Sequence, residues 1–329
     1  MILAGDIGGT STRLAVFEVR NNALRAVVEH TYPSREHAGL REIVSSFVAE
    51  HRPDIDHASF GIAGPVVDGR VKTPNLPWVI DAQDLANELG LAATGLLNDL
   101  EANAYGVAAL AASDLVSLNA GAPGAAGNAA VIAAGTGLGE AGLYWDGKRH
   151  RPFAAEGGHA DFAPRNALEI ELLRYLLQTH EHVSYERVLS GPGLHNIYKF
   201  LRDTGNAKEC AAVLEDMRSR DPSAVISKAA LEGSCELCVR ALDMFVAIYG
   251  AAAGNLALKI MASAGVYIGG GIAPKIVAKL KGPAFMDAFT AKGRLKPVCE
   301  SIPVRVILNP KTALLGSARY AALQAALLN

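Results

Sequence analysis

The sequence predicts a two-domain α/β protein with a cleft between two related halves. The chain has 329 residues, and a single hydrophobic core usually stops growing at about 250–300 residues, so two domains are expected. A strand, a glycine turn and a second strand occur near residue 8 and again near residue 137. Each set precedes a further hairpin and then helices, an order that indicates two α/β halves.

The first half begins with strands joined by tight turns. Glycine and asparagine pairs, which tolerate positive φ, separate three apolar runs. Asp81 is placed to cap a helix that ends at Gly90. The predicted elements are strands over 2–7, 13–19 and 25–32, a helix over 40–51, a strand over 58–63, a hairpin over 66–72, a helix over 81–90, a strand over 94–98 and a helix over 99–112.

The second half follows a flexible loop of Gly, Ala, Pro and Asn over 121–128. Its predicted elements are a strand over 129–134, a turn over 135–139, strands over 142–145 and 148–152, mostly helix over 167–262, a strand over 266–268, a helix opening near Pro274, a strand over 304–308 and a helix over 311–327. We therefore expect a smaller domain of residues 1–109 plus 310–329 and a larger domain of residues 110–309.

The composition argues against nucleic acid or a membrane surface as the main partner. The formal net charge is −2, from 31 basic and 33 acidic side chains. No charged leader precedes the first strand, and polar residues interrupt the longest apolar stretch, 244–261, so no membrane span is expected. The cytoplasm is the expected location.

The cysteines Cys210, Cys235, Cys238 and Cys299 do not suggest a disulfide framework by number or spacing. Cys235 and Cys238 form a CxxC inside a helical pattern over about 234–262, which favours two thiols on one helix face. A zinc site would need further ligands at close spacing, and none lie nearby in the sequence.

The first glycine motif is a candidate phosphate loop. It consists of Gly5, Asp6, Ile7, Gly8, Gly9 and Thr10 and continues to Arg13. Bare glycines let the backbone approach a phosphate and point N–H groups at it, and Thr10 adds a hydroxyl donor. Asp6, at a strand end beside the turn, is placed to hold Mg²⁺ through water. An ordinary glycine hairpin is the alternative.

The second glycine motif runs through Gly135, Thr136 and Gly137 to Gly139, and with Gly142 it contains the letters of a dinucleotide-binding GxGxxG. That fingerprint needs a helix straight after the glycines, whereas strand residues follow here. A second phosphate hairpin is therefore favoured. No GxxxxGK[ST] occurs in the sequence, which excludes a P-loop kinase.

The third glycine motif lies at a predicted strand-to-helix junction and consists of Gly269, Gly270, Gly271 and Ile272. Close backbone approach at such a turn suits the flat ring or the sugar of a nucleotide. A plain βα turn without a ligand is an equal alternative.

Acidic and imidazole side chains form the remaining candidates. The Asp99 carboxylate, beside Asn98 at a strand-to-helix junction, is placed to accept a hydroxyl proton, although a helix N-cap is favoured by the local pattern alone. Glu156 and His159 enclose two glycines, so both side chains can turn toward the hydroxyls of one sugar ring. Glu186 follows Ser184, a candidate helix cap, and taken alone is best explained as a dipole partner.

Together these segments resemble the bacterial glucokinase family, which has the two-domain actin-like ATPase (ribonuclease H-like) fold with an interdomain cleft. The resemblance covers nearly the whole chain. Mild departures are Ser11, where the family usually has Asn, and Leu100, where it often has Phe. The segments that carry the resemblance are GDIGGTSTRLAVF, TPNLPWVID, LLNDLEANAYG, GTGLGEAGL, EGGHADFAP, YERVLSGPGLHNIY and GGGIAPK.

The resemblance implies transfer of the γ-phosphate of ATP to the 6-hydroxyl of glucose, with Mg²⁺ held near Asp6. Asp99 would be the general base, and the glycine motifs would hold the phosphates and the adenosine. The implied sugar ligands are Asn75, Asn98, Asp99, Glu156, His159 and Glu186. A homodimer is plausible from the family. No structural zinc is expected, because no cysteine lies between residues 1 and 209.

Three other functions stay open. The nearest is a kinase for another hexose or an N-acetylhexosamine. A sugar-responsive transcription regulator would need a DNA-binding module before the fold, which here begins at residue 2. A chaperone-like or polymerising ATPase of the same fold would not need the Glu156 and His159 pair.

Overall fold

The computed structural model describes residues 1–205 and 207–328. The chain forms two compact units. Unit 1 comprises Met1–Asp114, Arg151–Ala154 and Asn309–Asn329, and unit 2 comprises Leu115–His150 and Ala155–Leu308. The predicted domain limits, 1–109 plus 310–329 and 110–309, stay a prediction.

The strands and helices are numbered in chain order. The strands are β1 Ile2–Ile7, β2 Ser11–Arg20, β3 Ala23–Pro33, β4 His57–Ile62, β5 Arg70–Lys72, β6 Val79–Asp81, β7 Gly95–Asn98, β8 Leu115–Asn119, β9 Ala129–Ala134, β10 Leu138–Trp145, β11 His150–Ala155, β12 Gly265–Gly269 and β13 Val304–Ile307. The α-helices are α1 Leu40–His51, α2 Ala82–Leu89, α3 Asp99–Val107, α4 Ala167–Leu176, α5 Gly191–Asp203, α6 Ala211–Met217, α7 Pro222–Leu231, α8 Glu236–Ile260, α9 Val277–Leu280, α10 Pro283–Thr290, α11 Lys296–Glu300 and α12 Thr312–Gln324.

The main sheet of unit 1 has the strand order β3-β2-β1-β4-β7. Strands β1, β2 and β3 pair antiparallel, whereas β1, β4 and β7 run parallel. Because side chains alternate along a strand, Leu3 and Ile7 join a core with helix α1, and Ile2 and Ala4 pack with α12 on the other face. The two buried faces fix the register of β1, and with it the position of the turn that follows.

The main sheet of unit 2 has the order β10-β9-β12-β13-β8. Strands β9 and β10 pair antiparallel, and β9, β12 and β13 run parallel. The two units thus share a plan in which a hairpin leads into parallel strands. The antiparallel edge strand β8, next to β13, was not predicted from the sequence.

Helix α8 passes the length and composition test for a membrane span, so the expectation that no apolar run is long enough was wrong. However, 78% of its most apolar window is buried inside the protein. The α8 side chain Tyr249 lies beneath the sheet, where its hydroxyl accepts a hydrogen bond of 3.2 Å from the Ala134 N–H. This burial is typical of the core helix of a soluble protein.

The cysteine prediction was also wrong. Cys210 and Cys235 form a disulfide with their Cα atoms 6.1 Å apart, and Cys238 and Cys299 are buried free thiols. Cys235 precedes α8 as its N-cap residue and is not inside the helix. The two bonded cysteines lie 25 positions apart, and the chain between them folds back through α6 and α7, a long-range closure that spacing alone does not reveal.

Several predicted bounds differ from the structure. Strand β10 begins at Leu138, directly after the second glycine turn, and α3 ends at Val107. The segment over 66–72 makes only a bridge between Val67 and Arg70, because β5 pairs instead with β6. The turn after β12 leads into a 3₁₀ turn, Ala273–Ile276, before the short α9.

Candidate active site

The first glycine turn closes a tight hairpin between β1 and β2. The Gly8 N–H donates to the Ser11 carbonyl at 3.0 Å. Gly5 and Ile7 lie inside β1, where the Gly5 carbonyl accepts from the Ser317 hydroxyl and the Ile7 side chain is buried. The turn therefore consists of Gly8, Gly9 and Thr10, and the other two residues anchor it to the core.

Ser34 supports this hairpin from the 3₁₀ turn Ser34–Glu36. Its hydroxyl donates to the Gly8 carbonyl at 2.8 Å and lies 2.9 Å from the Thr12 hydroxyl. The Ser34 N–H donates to the Thr10 carbonyl at 3.1 Å. Ser34 was not predicted as a site residue, because nothing in its local pattern links it to a turn 26 residues earlier.

Asn75 lies against Gly9. A Cβ atom added at Gly9 would be 2.8 Å from the Asn75 Cβ, closer than real Cβ contacts. The Thr73 hydroxyl donates to the Leu76 carbonyl at 2.9 Å and so closes the loop that carries Asn75. The structure thus brings a predicted sugar ligand and the predicted phosphate turn together.

Asp6 lies at the end of β1, opposite Arg13 in register. Its carboxylate is 4.0 Å from the Arg13 Nη1. Burial raises the pKa of Asp6, and the Arg13 charge opposes that shift. Arg13 also donates to the Pro310 carbonyl at 3.0 Å, so it is fixed by the backbone as well as by the carboxylate.

Asn98, not Asp99, is the N-cap of helix α3. The Asn98 Oδ1 accepts from the Leu100 N–H at 2.9 Å, and its Nδ2 donates to the Gly64 carbonyl at 3.1 Å. Asp99 is the first residue of the helix. The capping alternative for Asp99 was therefore wrong, since the neighbouring amide fills that role and the Asp99 carboxylate stands at the positive end of the helix dipole.

The second glycine turn joins β9 to β10. The Gly135 N–H donates to the Gly137 carbonyl at 2.8 Å, and the Gly135 carbonyl accepts from the Gly191 N–H at 2.8 Å. Gly191 is the first residue of α5, whose cap is the Ser190 hydroxyl. Thr136 is exposed at the tip of the turn. The first residue of α5 therefore holds the second turn in place through a backbone hydrogen bond.

Glu186 contacts the second turn directly. Its Oε2 accepts a hydrogen bond of 2.9 Å from the Leu138 N–H. A Cβ atom at Gly137 would be 2.5 Å from the same oxygen. The dipole-partner explanation for Glu186 was wrong, because the residue lies in a 3₁₀ turn, Tyr185–Arg187, and its carboxylate binds the hairpin backbone. Ser184 precedes this turn without a side-chain capping bond.

His159 and Glu186 line one cavity of about 340 Å³ in unit 2. Glu156 is not among the lining residues, although its carbonyl accepts from the His159 N–H at 3.1 Å. His180 and His182 also line this cavity. Its lining residues are His159, Thr179, His180, Glu181, His182, Ser184, Glu186 and Arg187.

The third glycine turn lies beside the second. Strands β12 and β9 are parallel neighbours with Gly269 opposite Ala133, and the Ile272 N–H donates to the Ala134 carbonyl at 3.2 Å. Gly270 has a φ of +81° and would place a Cβ 2.2 Å from that carbonyl oxygen, so only glycine fits there. The turn is therefore shaped for close backbone approach.

A second cavity of about 340 Å³ in unit 2 opens next to Ile272. Its other walls come from helix α7 and the 3₁₀ turn after β12, and they are more apolar than polar. Helix α7 lies in the region 167–262 that was predicted to be mostly helical, but it was not predicted to line a site, because Asp221 and Pro222 signal only a helix start. The lining residues are Asp221, Ser223, Ala224, Ser227, Lys228, Leu231, Glu232, Ile272, Lys275 and Ile276.

Within each unit, the structure brings several predicted site residues together. In unit 1 these are the first turn, Asp6 and Asn75. In unit 2 the second and third turns are adjacent, and Glu186 links the second turn to His159. Such a set of backbone amides, carboxylates and an imidazole suits a phosphorylated ligand beside a polyhydroxylated one.

Comparisons with known proteins agree with this chemistry. The family model described as glucokinase matches residues 3–324. The chain is 43% identical to a glucokinase of Trichormus variabilis, and the match covers 98% of this chain and 99% of that protein. It is 40% identical to a glucokinase of Synechocystis over 97% of both chains.

Solved structures give the same result for the fold. The crystal structure of a glucokinase from an Antarctic psychrotroph has a TM-score of 0.84 and 32% identity and covers 98% of each chain. A ROK-family glucokinase from Streptomyces griseus, solved with glucose and AMPPNP, has a TM-score of 0.65 and 23% identity, with coverage of 98% of this chain and 99% of that one. The predicted actin-like sugar-kinase fold is confirmed.

Proposed function

The chain belongs to the glucokinase family, and on that premise we propose that it transfers the γ-phosphoryl group of ATP to the 6-hydroxyl of glucose. The products are glucose 6-phosphate and ADP. It is an ATP-dependent hexose kinase, as its family and its structural relatives indicate. Support for glucose as the sugar comes from the names of the relatives and from the chemistry of the cavity that His159 and Glu186 line.

One observation carries the proposal. The Glu186 carboxylate accepts a hydrogen bond from the backbone of the second glycine turn and also lines the His159 cavity. A side chain that touches both elements is suited to couple the position of a sugar to the position of a phosphate chain. Phosphoryl transfer depends mostly on such positioning and on charge stabilisation.

Asp99 is proposed as the general base. It would take the proton of the 6-hydroxyl while the hydroxyl oxygen bonds to the γ-phosphorus and the bond from phosphorus to the leaving ADP oxygen breaks. The first turn of α3 favours an ionised carboxylate at this position. Asn98 already uses one amide hydrogen and one lone pair, which leaves one of each for a sugar hydroxyl.

Asn75, Glu156, His159 and Glu186 are the proposed ligands of the other sugar hydroxyls. The two polar ring atoms of His159 and the carboxylates of the acids match the donors and acceptors of a sugar ring. The hydrogen bond from Leu138 keeps one Glu186 oxygen in place and leaves the other for the sugar.

The phosphates of ATP are assigned to the two glycine hairpins and the adenosine to the third turn. Gly8, Gly9 and Thr10 would face phosphate on unit 1, and Gly135, Thr136 and Gly137 would do so on unit 2. The neighbouring α7 cavity, partly apolar and lined by Ile272, suits an adenine ring.

Asp6 fits a role in placing Mg²⁺. It offers hard oxygen donors at the end of β1, beside the first glycine turn. When bound with ATP, Mg²⁺ supplies charge neutralisation at the phosphates. Asp6 would hold the ion's position, through water, from the end of β1.

A substrate panel with coupled measurement of ADP release tests the proposed function. We expect sugar-dependent ATP turnover with the highest kcat/KM for glucose, compared with mannose, fructose and N-acetylglucosamine. A site that bonds a given hydroxyl rejects analogues lacking it by up to about 10⁴–10⁵. A preference for glucose below about twofold would favour a kinase of another hexose, since selectivity of the proposed kind is far larger. ATP turnover without sugar stimulation would contradict both.

Two further assignments rest on the family alone. We propose a homodimer, to be tested by light scattering of the purified chain. We also propose a cytoplasmic location, which fractionation of cells that produce the protein would test.

A further inference from the structure

Three side chains of the kinds that bind metal ions lie close together on unit 1, outside the residues assigned to the reaction. His30, Glu50 and His51 form this group, here called the His30 cluster. Across residues 1–205 and 207–328, they are the one set of three such side chains whose ligand atoms all lie within 4.8 Å of one another. The cluster combines two imidazoles with a carboxylate.

Two packed elements hold the cluster in place. His30 lies on strand β3, and Glu50 and His51 end helix α1. The His51 ring packs edge-on against Phe47, one turn earlier, with centroids 4.7 Å apart, and it lies 6.4 Å from the His30 ring. Both imidazoles therefore face the same space between strand and helix.

Two buried polar atoms at this place have no hydrogen-bond partner. They are the His51 Nε2 and the hydroxyl of Tyr32, whose ring lies 4.5 Å from that of His30. Tyr32 is only 9% exposed. Since buried polar groups are nearly always satisfied, two such atoms on rings that both lie beside His30 point to a missing partner, an ion or water, at this place.

We propose that the His30 cluster binds a divalent transition-metal ion of the zinc type through His30, His51 and Glu50. Imidazole nitrogens select such ions over Mg²⁺ and Ca²⁺. Three protein ligands leave the fourth position of a tetrahedral ion to water, which can in turn bond to the Tyr32 hydroxyl. This proposal departs from the prediction that no structural zinc is expected, which rested on the lack of cysteines between residues 1 and 209, because its ligands are histidine and glutamate.

The distances allow this coordination after a small contraction. Ligand atoms on a tetrahedral zinc ion, with bonds of about 2.0–2.1 Å, lie about 3.4 Å from one another. His51 Nε2 and Glu50 Oε1 are already 3.8 Å apart. The Glu50 side chain is 57% exposed and His30 is exposed, so both can move to close the remaining gap.

The ion would clamp strand β3 to the end of α1. The segment between them contains Ser34, which donates to the Gly8 carbonyl of the first glycine turn. The clamp would therefore fix the ends of the segment that supports this turn. Its role is structural, and no step of phosphoryl transfer passes through it.

Titration of the full-length protein with ZnCl₂ tests the proposal. The protein is freed of any affinity tag and of bound metal with a chelator, and binding is followed by calorimetry. We expect one ion per chain and a Zn²⁺-dependent rise in Tm. We expect each of three single variants, His30→Gln, His51→Gln and Glu50→Gln, to weaken Zn²⁺ binding at least about tenfold. Even the loss of a residue that only hydrogen-bonds to a metal ligand lowers metal affinity by about 10–100-fold.

His37→Gln is the matched control. His37 also pairs with a glutamate of unit 1, Glu42, at 3.0 Å and is not part of the cluster. This variant should bind Zn²⁺ like the wild type. The exposed His30 and Glu50 can be changed with little risk to folding, which circular dichroism of each variant checks.

Three results would overturn the proposal. The first is that the wild type binds Zn²⁺ no more tightly than the double variant His30→Gln/His51→Gln does. The second is full-strength binding by the three single variants. The third is an equal loss of binding in His37→Gln, which would show unspecific attachment to surface histidines.

Discussion

The two glycine hairpins share a backbone plan but differ in what surrounds them. The first turn is closed by the Gly8 N–H and supported by the neutral hydroxyl of Ser34. The second is closed by the Gly135 N–H and contacted by the Glu186 carboxylate. The first strand brings its own acid, Asp6, whereas β9 is a buried run of apolar residues.

The difference also concerns how firmly each turn is packed. At Gly9 the nearest obstacle is the Asn75 Cβ, which is fixed to the backbone. At Gly137 the obstacle is the end of the flexible Glu186 side chain. The first turn is thus a rigidly fitted element, and the second is an element whose neighbour can move. The two turns therefore differ in role, since, among the described residues, only the second is hydrogen-bonded to a side chain, Glu186, that also lines the His159 cavity.

The largest effect in this comparison is expected for Gly137→Ala. The new methyl group would displace the Glu186 carboxylate from the Leu138 N–H. The displaced carboxylate also loses its position against the sugar, and a hydrogen bond to a charged group is worth about 1.5–3 kcal/mol, so kcat/KM for glucose should fall about 10- to 100-fold. Stability should fall by less than in Gly9→Ala, because the freed Glu186 carboxylate is only partly buried and can be hydrated. Steady-state kinetics beside those of Glu186→Ala measure this, and the two variants should match, since both remove the carboxylate from the Leu138 N–H. Wild-type kinetics in Gly137→Ala would show that Glu186 does not position the sugar.

Gly9→Ala should mainly affect folding. The Asn75 Cβ would be 2.8 Å from the new atom and cannot rotate away, so the loop that carries Asn75 must shift. Overpacking of this kind costs about 1–3 kcal/mol of the free energy of unfolding. Urea denaturation of both glycine variants measures the difference. Equal stability of Gly9→Ala and the wild type would mean that the first turn is as adaptable as the second.

Ser34→Ala tests the support of the first turn. The change removes the hydrogen bonds of the Ser34 hydroxyl to the Gly8 carbonyl and Thr12, at an expected cost of about 0.5–1.5 kcal/mol of stability. We also expect a higher KM for ATP, because the first turn loses the hydrogen bond that holds the Gly8 carbonyl in place. Ser46→Ala, a change at an exposed position of α1, is the control. An unchanged denaturation midpoint in Ser34→Ala would exclude a supporting role.

Gly135→Ala should have the smallest effect on the free protein. A Cβ atom there meets nothing within 4 Å, so stability should stay within about 0.5 kcal/mol of the wild type. Any rise in the KM for ATP then reports approach of a phosphate to this backbone. Stability lower by more than about 1 kcal/mol would contradict the open space at this turn.

Local sequence signals predicted much of this architecture. Strands β1 and β9 and helices α1 and α2 were predicted closely, because alternating apolar residues, the Asp81 cap and the Gly90 stop act within a few residues of where they stand. The glycine turns were also placed correctly, since the strands on both sides define them.

Features that depend on distant parts of the chain could not be predicted in this way. The disulfide joins residues 25 positions apart, and Ser34 reaches a turn 26 residues earlier. Glu186 contacts Leu138, 48 residues away, while its own neighbourhood suggested only a helix start. In the same way, α7 became a candidate wall of the nucleotide site only once the sheet placed Ile272 beside it.

The most direct test of the proposed kinase mechanism is the variant Asp99→Asn. Its kcat for glucose phosphorylation should fall about 10²–10⁴-fold, because the amide cannot accept the proton of the 6-hydroxyl. Its glucose Kd, measured by calorimetry, should stay close to that of the wild type, since the amide keeps the shape of the carboxylate. A kcat near the wild-type value would contradict the assignment of Asp99 as the general base.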